Sequence, residues 1–161
     1  MFDLGIDNSP TLVLTGNYDG QKTILKTSNL TLAISENYSP SKMLIGAFNN
    51  VSALTRYITQ QSPFWVEIIP AGSMKLKQEN TEDNECAHLL KALLEGDRYS
   101  PDWRAISEKV NRKISEKTKP QFYIDDLKHA LNLDITSIVP VIEKRDGYSF
   151  SVRPQDITIS N

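Results

Sequence analysis

Four short polar clusters in this sequence carry side chains that could handle a phosphate or another anion. Hydroxyl and amide groups can stand beside exposed backbone N–H groups and help to bind an anion, and carboxylates supply the oxygen ligands that Mg²⁺ prefers. Each cluster also suits a structural role, as a turn or as the cap of a helix. The clusters are Asn8, Ser9 and Pro10; Thr27, Ser28 and Asn29 with Thr31; Asn49, Asn50 and Ser52; and Glu82 with Asp83.

The first cluster closes the segment FDLGIDNSP, residues 2–10. Short polar side chains surround Gly5 and Pro10 ends the run, so we predict a loop rather than the interior of a helix or a central strand. A loop of this composition suits phosphate binding. It equally suits a simple turn in which Asn8 and Ser9 satisfy the local backbone.

The next two clusters leave two interpretations open as well. Asn29 and Thr31 come directly after a predicted strand, and Asn50 and Ser52 stand where another predicted strand runs into a helix. In each case the side chains either cap the helix or assist backbone N–H groups in binding an anion.

Glu82 and Asp83 open a predicted helix. Acidic side chains in a first turn complement the helix dipole, and each contributes about 0.3–1 kcal/mol in that role. The functional alternative is that one carboxylate holds Mg²⁺ and so bridges the protein to a phosphate.

The common nucleophile motifs are absent from the sequence. It contains no glycine-rich loop ending in Gly-Lys-Ser/Thr and no Gly-x-Ser-x-Gly elbow. Two histidines, His88 and His129, cannot form a histidine-rich metal site. Cys86 stands at an apolar helical position, so we interpret it as a buried core thiol. The catalytic residues are therefore left unknown.

Helix and strand signals alternate along the chain, which is typical of an α/β fold. Helices are predicted over 29–36, from Asn50 onward, from Cys86 to Leu94 with an end at Gly96, after Ser100 and Pro101, and over 124–133. Strands are predicted over 11–14, 22–27, 42–48 and 64–69, a loop over 73–81, and a hairpin over 137–143 and 148–153 across Asp146 and Gly147. We expect a three-layer α/β/α sandwich with a mixed, largely parallel sheet, in which ligands lie at the carboxyl ends of strands.

Composition narrows the class of protein further. A length of 161 residues suits a single domain, and a net charge of −2 without basic blocks argues against a nucleic-acid partner. No apolar run approaches the roughly 20 residues of a membrane helix, and the N-terminus lacks the pattern of a signal peptide. Cys86 is the only cysteine, which indicates a reducing compartment, and we expect a cytoplasmic protein.

The order of several segments resembles the 2-phosphosulfolactate phosphatase family over residues 2 to about 147. The segments that carry this resemblance are FDLGIDNSP, GQKTILKTSNLTLAI, MLIGAFNNVSAL, IIPAG, TEDNECAHLLKALL and DDLKHALNLDITSIVPV. The resemblance implies an enzyme that removes phosphate from 2-phospho-3-sulfolactate with Mg²⁺, in the route to coenzyme M.

The resemblance also implies roles for individual residues. The family's phosphate loops fall on the first three clusters, so Asn8, Ser9, Asn29 and Thr31 would contact phosphate. Asn50 and Ser52 would join that binding site for a small phosphorylated or sulfonated acid. Glu82 or Asp83 would hold the metal, and a later family segment falls on Asp126 and Asp134.

The chain departs from the family pattern in several respects, among them two residues inserted before Asn8 and His88 in place of a small residue. Two further departures bear on the phosphate site and on assembly. Leu30 stands where the family has glycine, and leucine would block a backbone that needs positive φ or close approach to a phosphate. Family members also carry a further N-terminal portion, so residues 1–161 resemble the C-terminal two thirds of such an enzyme. A sheet without its neighbouring strands exposes an edge, and we therefore expect a homo-oligomer or a partner chain.

Three functions remain open at this point. The first is a divergent Mg²⁺-dependent phosphatase-like protein. The second is a non-catalytic module that binds anions or takes part in assembly and kept only the fold. The third is one half of a split enzyme.

Overall fold

A computed structural model of the chain contains both helices and strands, which confirms the α/β class. The two alternate as far as Leu44, whereas the described residues between Val51 and Ala130 form four helices with no strand between them. The structure describes residues 4–20, 23–27, 29–38, 42–72, 81–115, 120–144 and 150–157. The helices are α1 (Pro10–Thr15), α2 (Leu30–Asn37), α3 (Val51–Gln61), α4 (Thr81–Glu95), α5 (Trp103–Ser115) and α6 (Pro120–Ala130), with a 3₁₀ turn at Phe48–Asn50 before α3. The strands are β1 (Leu4–Asp7), β2 (Thr23–Lys26), β3 (Met43–Leu44), β4 (Ile138–Lys144) and β5 (Phe150–Asp156).

The described strands form two separate sheets. β1 and β2 pair in parallel, whereas β3, β4 and β5 form an antiparallel sheet in that order. β4 and β5 make the predicted closing hairpin, although its turn lies outside the described residues. The described strands do not confirm the three-layer sandwich or the largely parallel sheet, both of which stay predictions.

Several predictions for the first part of the chain are wrong. The segment 2–10 is not a loop throughout, because Leu4–Asp7 form β1. The run 11–14 lies in α1 rather than in a strand, since Ser9 caps a helix whose first residue is Pro10. The predicted strand 42–48 shrinks to Met43–Leu44.

The apolar run 64–69 was also predicted as a strand, and this prediction is wrong. The segment has no regular secondary structure. Phe64 is fully exposed and Trp65 is 63% exposed. An apolar run becomes a buried strand only if a neighbouring element covers it, and among the described residues the core covers Ile68 in part and leaves Phe64, Trp65 and Val66 exposed.

The helix predictions fare better. α2, α3 and α4 occupy the predicted positions, and α4 ends before Gly96, whose φ of +79° suits a glycine. The predicted start of α5 at Ser100 and Pro101 is displaced, because Asp102 caps the helix by accepting a 2.9 Å hydrogen bond from the Ala105 N–H. The predicted loop 73–81 lies outside the described residues except for Thr81, which begins α4.

The hydrophobic core forms around α3. Its buried residues recur at helical spacing and pack against α4, α5 and β4. Trp103 stacks on Phe48 with ring centroids 5.1 Å apart. The core members are Phe48, Val51, Ala53, Leu54, Tyr57, Ile58, Leu89, Leu90, Ile106 and Val139. No helix in the described part of the chain is long and apolar enough to cross a membrane.

Candidate functional site

The junction between β1 and α1 is closed by a carboxylate from a distant helix. Ser9 is buried and caps α1, because its hydroxyl oxygen accepts from the Leu12 N–H at 3.2 Å. The same hydroxyl donates to Asp126 Oδ1 at 2.8 Å, and the Thr11 N–H donates to that oxygen at 2.9 Å. Asp126 of α6 therefore sits where an anion would bind at the start of α1, while Asn8 is exposed beside it.

The pKa of Asp126 is lowered from its ordinary value of 3.8. Burial is the largest single effect and raises this pKa. The Thr11 amide, the Thr11 and Ser9 hydroxyls and the charge of His129 all lower it, and together they outweigh burial. The Thr11 hydroxyl acts on Asp126 by proximity, since its oxygen does not meet hydrogen-bond geometry with any group. Asp126 is thus ionised at neutral pH.

The junction between β2 and α2 lies beside the first one. β1 and β2 are parallel neighbours, and Asp7 pairs in register with Lys26, so both strands end at the same edge. Asn29 precedes α2 without capping it through its side chain. Thr31 is exposed, and its hydroxyl donates to the Thr27 carbonyl at 2.8 Å.

Leu30, which the sequence resemblance aligned with a glycine of the family, causes no backbone conflict in this chain. Leu30 is the first residue of α2, and the non-glycine residues with positive φ in the described part of the chain are Ser62 and Asp134. The position therefore does not require the conformational freedom of glycine here.

The third junction leads from β3 through the 3₁₀ turn into α3. Asn50 lies in this junction and is a buried structural residue. Its Oδ1 accepts from the Ala47 N–H at 2.9 Å, and its Nδ2 donates to the carbonyls of Ile138 at 3.0 Å and Ile45 at 3.3 Å. These bonds attach the end of β3 to β4. They satisfy partly buried backbone groups.

Ser52 and Asn49 attach the same junction to α6. The backbone N–H and the hydroxyl of Ser52 donate to the two oxygens of Asp134, at 2.8 and 2.6 Å. Asn49 Nδ2 donates to the carbonyls of His129 and Asn132, at 2.8 and 2.7 Å, at the end of α6. Asp134 thus caps α3 just as Asp126 caps α1.

Asp126 and Asp134 were not among the predicted binding residues. The family resemblance marked both positions, but nothing in the local pattern shows that each carboxylate caps a helix far away in the chain. Asp126 and His129 are less than one helical turn apart, about 5 Å along the axis of α6. The first and third clusters therefore attach to neighbouring parts of one helix.

The fourth cluster makes other contacts. Glu82 forms an ion pair with Lys109 of α5 at 3.0 Å, with both side chains about one quarter exposed. Asp83 Oδ2 accepts from the Gly72 N–H at 3.0 Å. Among the described residues no group of three or more His, Cys, Asp or Glu side chains could hold a metal ion. These donors do not fit a metal held by protein ligands alone.

A groove of about 670 Å³ lies between α5 and α6. Its lining is mostly apolar and includes Trp103, Val110, Ile124, Leu127 and Leu131. None of the predicted binding residues lines this groove, and an apolar surface suits a doubly charged ligand poorly.

Fold and junctions together define an α/β protein whose polar loops follow two parallel strands that end side by side. The family model described as 2-phosphosulpholactate phosphatase matches residues 1–145 of the chain. The chain therefore belongs to this family, as the sequence resemblance indicated. No curated protein matches it.

Proposed function

We propose that the chain is a divergent Mg²⁺-dependent phosphatase that hydrolyses 2-phosphosulfolactate or a related small phosphorylated acid. The observation that carries this proposal is family membership over residues 1–145. The proposal treats residues 1–161 as one domain that corresponds to the C-terminal two thirds of the family enzymes. It retains a three-layer sandwich as the fold of the whole enzyme.

The parallel pair β1–β2 supports a phosphate site. Because both strands end at the same edge, the loop with Asn8 and Ser9 lies beside the loop that precedes Thr31. Each loop leads directly into a helix; the start of α1 is taken by the Asp126 carboxylate, whereas the first N–H groups of α2 have no side-chain cap in the described part of the chain and favour an anion. Asn8 and Thr31 are exposed at this edge, and Asn29 is partly exposed.

The described residues do not supply an activated nucleophile. Burial, and to a smaller extent the charge of Asp83, raises the pKa of the Cys86 thiol to about 12. Ser9 is buried, and its hydroxyl donates to Asp126. The reaction we infer is direct attack by water: a bond forms between the water oxygen and phosphorus, the phosphorus–alkoxide oxygen bond breaks, and the leaving oxygen gains a proton.

The single cysteine also supports a cytoplasmic location as part of the proposal.

The metal requirement rests on Asp83 and Glu82 together with the substrate. Mg²⁺ is commonly held by only one or two protein carboxylates, while substrate phosphates and water complete its coordination. The ion would neutralise charge on the phosphate. Both carboxylates already have partners, Glu82 in Lys109 and Asp83 in the Gly72 N–H, and each would have to share its oxygens with the ion.

Phosphate release from 2-phosphosulfolactate tests the proposal, with and without Mg²⁺. Turnover should require Mg²⁺ and should fall at least tenfold in Asp83→Ala. Asp97→Ala is the matched control, because Asp97 is exposed just after α4 and should leave turnover unchanged. Wild-type turnover no higher than that of Asp83→Ala would defeat the proposal.

One observation favours the second candidate, a non-catalytic anion-binding module: the described residues supply no activated nucleophile, since Ser9 is buried and burial raises the pKa of the Cys86 thiol. The starts of α1 and α3 are already capped by Asp126 and Asp134, which leaves the start of α2 for an anion. Under this alternative, phosphate would raise the melting temperature of the protein although no substrate is turned over.

The exposed apolar residues support an oligomer or a partner chain as a further part of the proposal. Phe64, Trp65 and Val66 are exposed in the segment after α3, and Leu14 of α1 is 65% exposed. Consecutive exposed apolar side chains, as at 64–66, mark association surfaces. A monodisperse monomer in analytical ultracentrifugation would count against this part of the proposal.

A further inference from the structure

Residues 64–69 form an exposed apolar segment after α3 that has no regular secondary structure. Phe64 is fully exposed, and Trp65, Val66 and Ile69 are exposed as well. Ile68 packs against the core and so holds the segment in place. The described residues of the same chain thus leave two aromatic side chains of this segment uncovered, and a run of exposed apolar side chains marks a docking surface.

The groove between α5 and α6 matches the segment in size and in chemistry. Its volume is about 670 Å³, and side chains such as Val110, Leu127 and Leu131 give it apolar walls. A dry cavity of about 150 Å³ already holds a benzene ring. The groove therefore has room for the side chains of Phe64 and Trp65 together, and contact would bury apolar surface on both sides.

The segment lies away from the groove of its own chain. α3 (Val51–Gln61) has eleven residues and is about 16 Å long. Ser52 at its start is bonded to Asp134, which comes directly after the groove residue Leu133, whereas the segment follows the other end of α3. A groove that receives the segment must therefore belong to a second copy of the chain.

The charges of the two surfaces are complementary. Glu67 is the charged residue of the segment, and its side chain is exposed. Lys128 is the charged residue among the described residues that line the groove, and it is exposed as well. Lys128 pairs with Asp125 at 3.4 Å, but an exposed ion pair of this kind contributes little. Glu67 of one copy and Lys128 of another can therefore attract each other across a contact.

The area of contact favours an exchange in both directions. Phe64 and Trp65 together expose about 300 Å², whereas a stable complex buries roughly 800 Å² on each partner. One segment in one groove falls well short of that area. A reciprocal pair comes close to it, because each copy then buries both its segment and its groove. Exchange in both directions also closes the assembly, whereas a one-way contact would add further copies without end.

We propose that two copies of the chain form a reciprocal dimer, in which the segment 64–69 of each copy lies in the groove between α5 and α6 of the other. Phe64 and Trp65 fill the groove, and Glu67 faces Lys128 at its edge. This dimer is the form that the association part of the proposed function takes, and it rests on that part. It does not depend on whether the chain turns over a substrate.

Sedimentation velocity over a range of protein concentrations measures the dissociation constant of the dimer. Trp65→Ser removes an aromatic side chain from the segment, and Leu133→Glu places a charge in the groove. Each change should weaken the dimer at least about tenfold, because aromatic side chains and the apolar pockets that they fill dominate binding. Leu14→Ser is the matched control: Leu14 is 65% exposed on α1 and lies outside both surfaces, so the dimer should be unchanged.

Charge reversal tests whether the segment pairs with the groove of another copy. Glu67→Lys and Lys128→Glu each place like charges at both contacts of a dimer, and each should weaken it at least about fivefold. In an equimolar mixture of these two variants, every segment faces a groove of opposite charge. The mixture should therefore dimerise about as tightly as the wild type, whereas mixing cannot repair an effect that arises within one chain.

Three outcomes would overturn the dimer. They are a wild type that stays monomeric at its highest soluble concentration, a dimer that Trp65→Ser does not weaken, and a mixture of the charge variants that associates no more tightly than either variant alone. Circular dichroism checks that each variant is folded. Trp65 and Glu67 are exposed, so variants of the segment decide the outcome even if Leu133→Glu does not fold.

Phosphate release measured on the same samples separates this dimer from the proposed reaction. A wild-type dimer that behaves as described but shows no turnover would uphold the dimer and defeat the phosphatase. Turnover by a wild type that is monomeric throughout would do the reverse.

Discussion

Replacing Asp126 tests whether a distant carboxylate holds α1 in place. α1 has six residues and none of them is buried, so the helix cannot rely on packing of its own apolar face. Asp126 Oδ1 accepts from the Ser9 hydroxyl and the Thr11 N–H, at 2.8 and 2.9 Å. The variants Asp126→Ala and Asp126→Asn remove the acceptor and the charge, respectively.

The magnitude follows from these two bonds. A hydrogen bond to a charged group contributes about 1.5–3 kcal/mol, and loss of a helix cap costs roughly 0.5–2 kcal/mol. Because both bonds end on one oxygen, their contributions do not add, and we expect Asp126→Ala to lower the free energy of unfolding by about 2–3 kcal/mol. Asp126→Asn keeps an oxygen acceptor and should cost about 1 kcal/mol.

The effect of Asp126 should depend on pH with a defined sign. The pKa of Asp126 is lower in the folded state than its ordinary value of 3.8, so its contribution to stability is present above that value. The contribution is lost as the pH falls through the folded-state pKa. The difference in unfolding free energy between the wild type and Asp126→Asn should be complete at neutral pH and should shrink below pH 3.8.

Urea denaturation followed by circular dichroism measures these differences, and hydrogen exchange of the Thr11 and Leu12 amides reports on α1 itself. Asp125→Ala is the matched control, because the neighbouring Asp125 pairs with Lys128 at 3.4 Å near the surface. Its loss should cost less than about 1 kcal/mol. An Asp126→Ala variant no less stable than Asp125→Ala, or a difference that persists unchanged at low pH, would refute the reasoning.

Two further predictions concern Asn50 and Cys86. Asn50→Ala should lower the free energy of unfolding by about 3 kcal/mol in urea denaturation, because it leaves Ala47 N and the Ile138 carbonyl without their partner; a loss below about 1 kcal/mol would contradict this assignment. Cys86 should react with iodoacetamide at neutral pH at least a hundredfold more slowly in the folded than in the unfolded protein, since burial raises its pKa to about 12. Equal rates, followed by mass spectrometry, would show that the fold does not protect the partly buried thiol.

The helices that pack on the core were predictable because their pattern repeats over several turns. Val51, Leu54 and Ile58 return to one face of α3, and α4 shows the same spacing before Gly96. Short apolar runs lack this repetition. The run 11–14 became part of a helix and the run 64–69 remained irregular, because four to six apolar residues do not determine which element covers them.

Two Ser-Pro pairs illustrate the limit of local signals. Ser9 and Pro10 begin α1, whereas Ser100 and Pro101 precede a helix that Asp102 caps. The same dipeptide thus has two outcomes. At Ser100, the neighbouring Asp102 caps the helix instead. At Ser9, the hydroxyl caps α1 and also contacts the distant carboxylate of Asp126.

The candidate site was predictable in its parts and not in its connections. Polar residues at the ends of β1 and β2 were identified from the sequence, and the pairing of these strands is what brings them to one edge. The carboxylate that closes the first junction lies 117 residues from Ser9, and the one at α3 lies 82 residues from Ser52. No local pattern encodes contacts over such separations, so only the tertiary fold reveals them.

Titration of ¹⁵N-labelled protein with 2-phosphosulfolactate in the presence of Mg²⁺ tests most directly whether the loops after β1 and β2 form one oxyanion site. The account predicts that the amide resonances of Asn8, Ser9, Asn29 and Thr31 shift together and saturate at the same ligand concentration. Shifts confined to the groove between α5 and α6, or shifts in only one of the two loops, would contradict it.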